Sequence, residues 1–73
     1  MRAARLQLVQ LVHVADVGLI RVAWSPTWAA HVVTVTRPGR GVVAEHVVAE
    51  RARALELADG ALSELAELAG MPA

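Results

Sequence analysis

A chain of 73 residues with no cysteine has room for one domain, residues 1–73, and no access to disulfides or thiolate metal sites. Domains this small bury only about 60% of their unfolded surface, which leaves a partner subunit as the expected reinforcement. Apolar residues make up 56% of the chain, above the roughly 45–50% usual in soluble domains, so some greasy surface is expected to face another chain.

The apolar fraction is Ala, Val and Leu with two Trp, no Phe and no Tyr, and every basic residue is Arg. That bias fits a high-GC bacterial or phage genome. Net charge is zero, yet it is unevenly spread. Residues 1–41 carry five arginines against Asp16 (net +4), and residues 42–73 carry two against six acids (net −4). The first part is a basic strand region and 42–70 an acidic amphipathic helix; opposite halves attract each other or a partner.

From the start of the chain, the arginines run into Gln7, Gln10, His13 and Asp16, which is not the pattern of a leader peptide. The longest uncharged stretch, Val22 to Thr36, is shorter than the ~20 residues a membrane helix needs. A soluble, cytoplasmic protein with no membrane partner is expected. Between Leu6 and Val17 the polar residues recur every third position and leave no clean helical face, while β-branched residues dominate, so strands are the better reading.

Three strands are expected, at Leu6–Val14, Leu19–Trp24 and Trp28–Thr36, the first with a bulge near Val9-Gln10. The turn Ala15-Asp16-Val17-Gly18 offers Gly18 for a positive φ. Ser25-Pro26-Thr27 makes the second turn. Pro38-Gly39 suits the middle of a type II turn leading into the helix. The competing architecture is αββα, with residues 3–16 helical.

Beyond residue 42 the charged positions fall on one arc at 100° per residue, and Val43, Val47, Ala54, Leu55, Ala58, Leu62, Leu65 and Ala69 fall on the other. One helix is expected from Val43 to Ala69, closed by Gly70 as the C′ residue with Pro72 beyond. A break at Gly60 is the alternative. Some 27 residues make a rod about 40 Å long, longer than the ~25–30 Å of a compact domain this size. Its overhanging stripe, with Val47, Leu55, Ala58, Leu62 and Leu65, is expected to bury against a second copy. Arg51 falls inside that stripe. It either snorkels outward or pairs across the interface, with Asp16 or a partner's Glu50, and fixes register.

Chemistry-bearing constellations are few. His13 with Asp16 meets His31 if their strands are adjacent, and Glu45-His46 sits near the helix start, yet none has a recognised ligand spacing. Ser25 and Ser63 lack a nucleophile elbow. The pairs Glu56/Asp59 and Glu64/Glu67 are what a solvated helix face provides in any case. The loop Arg37-Pro38-Gly39-Arg40-Gly41 lacks the Lys-Ser/Thr of a P-loop.

No catalytic residue, metal or cofactor is expected, and the chain is not read as an enzyme. Arg2, Arg5, Arg37 and Arg40 converge as a candidate patch for nucleic acid or another partner, with Trp24 and Trp28 as stacking candidates. The fold class is α+β: a three-stranded antiparallel meander followed by one long amphipathic helix, assembled as a homodimer or larger oligomer. The leading expectation is a non-catalytic interaction or regulatory module, of the kind phages and mobile elements encode. A small nucleic-acid-binding protein is the alternative.

Overall fold

The computed structural model describes residues 6–70. Arg2 and Arg5, half of the arginine patch expected above, and Pro72 lie outside the described residues. The architecture is α+β: a four-stranded antiparallel sheet followed by one C-terminal helix. The strands are β1 (Gln7–Val14), β2 (Gly18–Ser25), β3 (Ala30–Arg37) and β4 (Gly41–Val48), and the helix is α1 (Arg51–Leu68). Spatial order follows chain order, β1-β2-β3-β4, so each strand is joined to its neighbour by a hairpin.

The strand count differs from the three expected because residues 41–48 form β4 and not the first turns of the helix. Four of those eight residues are valine, whose branched Cβ loses rotamer freedom in a helix and packs well on a pleated surface. The turn before it decides the direction. Gly39 has φ +77° and the Arg40 N–H bonds the Arg37 carbonyl at 3.1 Å, as a type II turn on Pro38-Gly39 requires. Gly41, at φ +73°, sends the chain back along β3. From Thr36↔Val42 to His31↔Val48 the strands then pair, with one irregularity at Val35/Thr36.

The helix therefore has 18 residues and is about 27 Å long, short enough to lie within its own sheet. The overhang inferred from a 40 Å rod does not exist. Gly60 does not interrupt it, and it closes as expected: Ala69 caps, and Gly70 takes φ +72° with its N–H on the Glu67 carbonyl at 3.0 Å.

One face of the sheet carries the core. Val14, Ile20, Val22, Val33 and Val35 meet Ala54, Ala58 and Leu65 of α1, all buried. The small residues Ala54 and Ala58 let the helix approach all four strands. Burying each of the larger side chains contributes about 1.5–3 kcal/mol. The bulge expected near Val9-Gln10 is present as a register shift between Leu8 and Gln10. It keeps Val9 and Val12 among the residues packed on the core while Leu8 and Leu11 project elsewhere.

Gly18 serves a different purpose from the one expected. The positive φ of the first turn belongs to Ala15, at +44°. Gly18 opens β2 as a buried residue, and a Cβ there would lie 2.9 Å from both Leu65 Cδ1 and the Thr36 carbonyl oxygen. Its hydrogen lets the helix sit down on the sheet.

Candidate interaction surface

Antiparallel pairing places cross-strand partners on a common face, so the registers define what the helix leaves uncovered. On the face away from α1 one row runs Leu8–Ala23–Val32–Val47, and the next runs Leu11–Arg21–Thr34–Glu45. The outer members are exposed, Leu8 at 60%, Leu11 at 45% and Val47 at 47%, whereas Ala23 and Val32 in the middle strands are buried. The rim adds Trp28, 61% exposed, in the β2–β3 turn. Two shallow depressions mark this face. One is lined by Leu6, Leu8, Leu11, Arg21 and Ala23, the other by Leu6, Arg21, Trp28, Val32 and Glu45 among others.

Among the described residues, the charges on this face are one of each sign. Arg21 and Glu45 are both exposed and stand two strands apart, about 9–10 Å at the usual strand spacing, with Thr34 between them. The Thr34 hydroxyl is buried and has no hydrogen-bond partner. A buried hydroxyl without a partner costs about 1–3 kcal/mol, so this face holds an unmet polar demand at its centre.

A second feature is a groove of about 460 Å³ between the β3–β4 hairpin and the C-terminal half of α1. Val33, Val35, Leu57 and Leu65 are among its apolar lining, with Arg37 and Arg40 contributed by the hairpin turn and Glu56 and Glu64 by the helix. Arg37 is half-buried, and its Nε donates to the Val17 carbonyl at 3.4 Å. Arg40 stands exposed on the type II turn. These two arginines of the expected patch are thus brought together, but beside acidic residues.

The remaining sequence-predicted residues are dispersed. Arg51 is exposed at the first position of α1 and lies in no apolar stripe, because the stripe that seemed to enclose it began in what is now β4. Val47 belongs to the open sheet face. Ala58 and Leu65 are buried against the protein's own sheet, and Leu55 and Leu62 are half-buried on α1.

His13 and His31 do not meet: His13 pairs with Leu19 and His31 with Trp24. The ring of His31 stacks edge-on to Trp24 at 4.9 Å, and its Nδ1 lies 3.3 Å from the Ala49 carbonyl. Trp24 is thereby half-buried and only Trp28 is free to meet a partner. Among the described residues no group of three or more His, Asp or Glu is placed to hold a metal ion, and no helix is long and apolar enough to cross a membrane. The one salt bridge among them is Arg53–Glu56 at 3.1 Å, exposed on the helix.

A second, partly apolar sheet face follows from a meander with one helix; what the sequence hides is β4's share of it, Glu45 and Val47, because residues 43–48 also continue the helical phase. Residues 42–48 show no apolar/polar alternation, so the signal for a strand there is the valine content itself. No family model matches the chain, and no curated protein or solved structure matches it either.

Proposed function

We propose that this protein is a non-catalytic interaction module that works as a self-associated pair, with the uncovered sheet face as its contact surface. The observation that carries this reading is the set of exposed apolar side chains Leu8, Leu11 and Val47 on the sheet face that α1, the only helix among the described residues, does not reach. Four strands of eight residues present about 500 Å² at standard strand dimensions. Two copies together would withdraw at most about 1,000 Å², below the roughly 1,200–2,000 Å² of stable specific interfaces and in the range of weak, reversible pairs. A second copy suits the face better than a strongly charged partner, since among the described residues Arg21 and Glu45 cancel.

Stacking two sheets in this way leaves both helices outward. Their exposed surface carries Arg51 and Arg53 against Glu56, Asp59, Glu64 and Glu67, an acidic balance open to a macromolecular partner. Nucleic-acid binding is the alternative reading, supported by the exposed indole of Trp28 and by Arg40; the neighbouring Glu56 and Glu64 count against it.

Molar mass by light scattering across a concentration series tests the proposal. The wild-type protein is expected to approach twice the mass of one chain as concentration rises, and Leu8→Glu or Val47→Glu to stay at one chain with an unchanged circular dichroism spectrum. A wild-type protein that keeps single-chain mass at every concentration overturns the reading. Retention on heparin abolished by Arg40→Ala would transfer support to nucleic acid.

A further inference from the structure

We propose that the groove between β4 and α1 binds the free C-terminal end of another protein. The guest adds to the β4 edge as a fifth strand, sets alternate apolar side chains into the groove and places its carboxylate at Arg37 and Arg40. This site goes beyond the self-association proposed above and does not depend on it, because the groove lies on the helix side of the sheet.

The helix stops short of β4. Val33 of β3 is fully buried, whereas His46, its cross-strand partner on the same face, is exposed, and Ala44 is only half-buried. A cleft of about 460 Å³ remains, within the size range of sites that hold small ligands. The strands supply Val33, Val35 and Ala44 to it, and α1 supplies Leu57, Ala61 and Leu68. Gly60, exposed on the helix side, has no side chain to narrow it.

The strand beside this cleft is an edge. Edge strands present unpaired N–H and C=O groups, and proteins usually blunt them with charge, proline or a bulge. β1, the other edge, is interrupted by its register shift between Leu8 and Gln10. From Ala44 to Val48, β4 pairs with β3 without interruption and contains no proline and one charge, Glu45. Five residues of a partner, about 17 Å of extended chain, continue the ladder there. Main-chain bonds give such additions affinity, and alternate side chains give them specificity.

Charge fixes the direction and the end. β4 runs away from the β3–β4 turn, so an antiparallel guest runs toward that turn and finishes beside Ala44. Just beyond, Val43 has no partner on β3, and the bulge ends the regular edge. Arg37 and Arg40 line the groove here, and neither forms a salt bridge among the described residues. Arg37 commits only Nε, to the Val17 carbonyl. Of the acids lining the groove, Glu56 is held by Arg53. That leaves Glu64 against two arginines, a positive balance, with His46 beside them. A terminal carboxylate accepts hydrogen bonds from both guanidinium groups.

The guest's last, third-last and fifth-last side chains then share the groove face with Ala44, His46 and Val48, and its penultimate side chain lies opposite Glu45. Leucine or valine suits the first set and lysine the second. β4 of a second copy is a poorer occupant, since its single carboxylate, Glu45, lies on the open face.

Fluorescence polarisation tests the site, with the peptide Leu-Thr-Val-Lys-Leu carrying fluorescein at its N-terminus and titrated with the intact protein. The free acid is expected to bind saturably. Its C-terminal amide, and the free acid with the Arg40→Glu protein, are each expected to bind roughly tenfold or more weakly, the loss of a charge-assisted contact. Arg40 is exposed on the turn, so this variant keeps the fold, as circular dichroism will verify. Methylating single backbone nitrogens of the peptide is expected to weaken binding at alternate positions only, a pattern that apolar adhesion does not produce. Leu8→Glu is expected to bind like the wild type, which separates this site from the open face. No saturable binding, an amide as tight as the acid, or indifference to methylation overturns the proposal. So does a peptide that dissociates self-associated wild-type protein, because β4 of a second copy would then be the occupant.

Discussion

Gly18 shows how much of this fold rests on single atoms. Its Cα hydrogen occupies the space where a methyl group would meet both Leu65 Cδ1 and the backbone carbonyl of Thr36 at 2.9 Å. The leucine end can move, but the carbonyl belongs to the β2–β3 ladder and cannot. Gly18→Ala is therefore expected to destabilise the protein by about 1–3 kcal/mol, the usual cost of overpacking a dense core, measured by urea unfolding of the two proteins side by side. An unchanged unfolding midpoint would mean that α1 is not seated on β2 as described.

The same position shows where sequence reasoning is weakest at this scale. A glycine ending a tetrapeptide turn looks like a residue chosen for φ, and the need for close approach is visible only once Leu65, far away in the chain, is known to arrive there. Arg51 misled for a related reason. Its place in an apolar stripe depended on valines that turned out to sit on a strand, and the residue itself is a solvated arginine at the start of α1.

At the scale of elements, local signals were sufficient where turns punctuate the chain. The first three strands, the bulge beside Val9, the Pro38-Gly39 turn and the closure at Gly70 all follow from residues near at hand. β4 failed because its sequence carries a helical phase and no alternation. Val43 and Val47 are four apart and continue the phase of Ala54, Ala58 and Leu65, so a helical wheel accepts them. Pairing with β3, a tertiary event, supplies the backbone bonds that a wheel cannot see.

Within the true helix, Gly60 is the weak link. It is exposed, and a Cβ there would meet nothing within 4 Å, so no packing reason opposes a side chain. Gly60→Ala is expected to stabilise the protein by about 1 kcal/mol, the difference in helix propensity between the two residues. That gain should appear as a higher melting temperature by circular dichroism; a loss of stability would show that α1 bends or breaks at this point after all.

For the whole molecule, the proposed association rests on the sheet and not on the length of the helix. A 40 Å rod would have demanded a partner by its length, but the 18-residue helix fits its own sheet and demands nothing. The proposed pairing rests instead on the layer count. Two layers bury two faces, one of the helix and one of the sheet, and the second sheet face is left with leucine and valine in water.

If the proposed pair forms, it adds stability by mass action, because a pair that forms only from folded copies draws the folding equilibrium with it. For a dimer that melts directly to unfolded chains, each tenfold rise in protein concentration adds about 0.7 kcal/mol per chain. In a domain of this size that corresponds to a rise of roughly 3–6 °C in melting temperature. Leu8→Glu, placed on the open face and away from the core, should melt at one temperature whatever its concentration. The comparison uses calorimetry on the intact protein, and a wild-type melting temperature as flat as that of the variant would show that the sheet's second face is stable in water by itself.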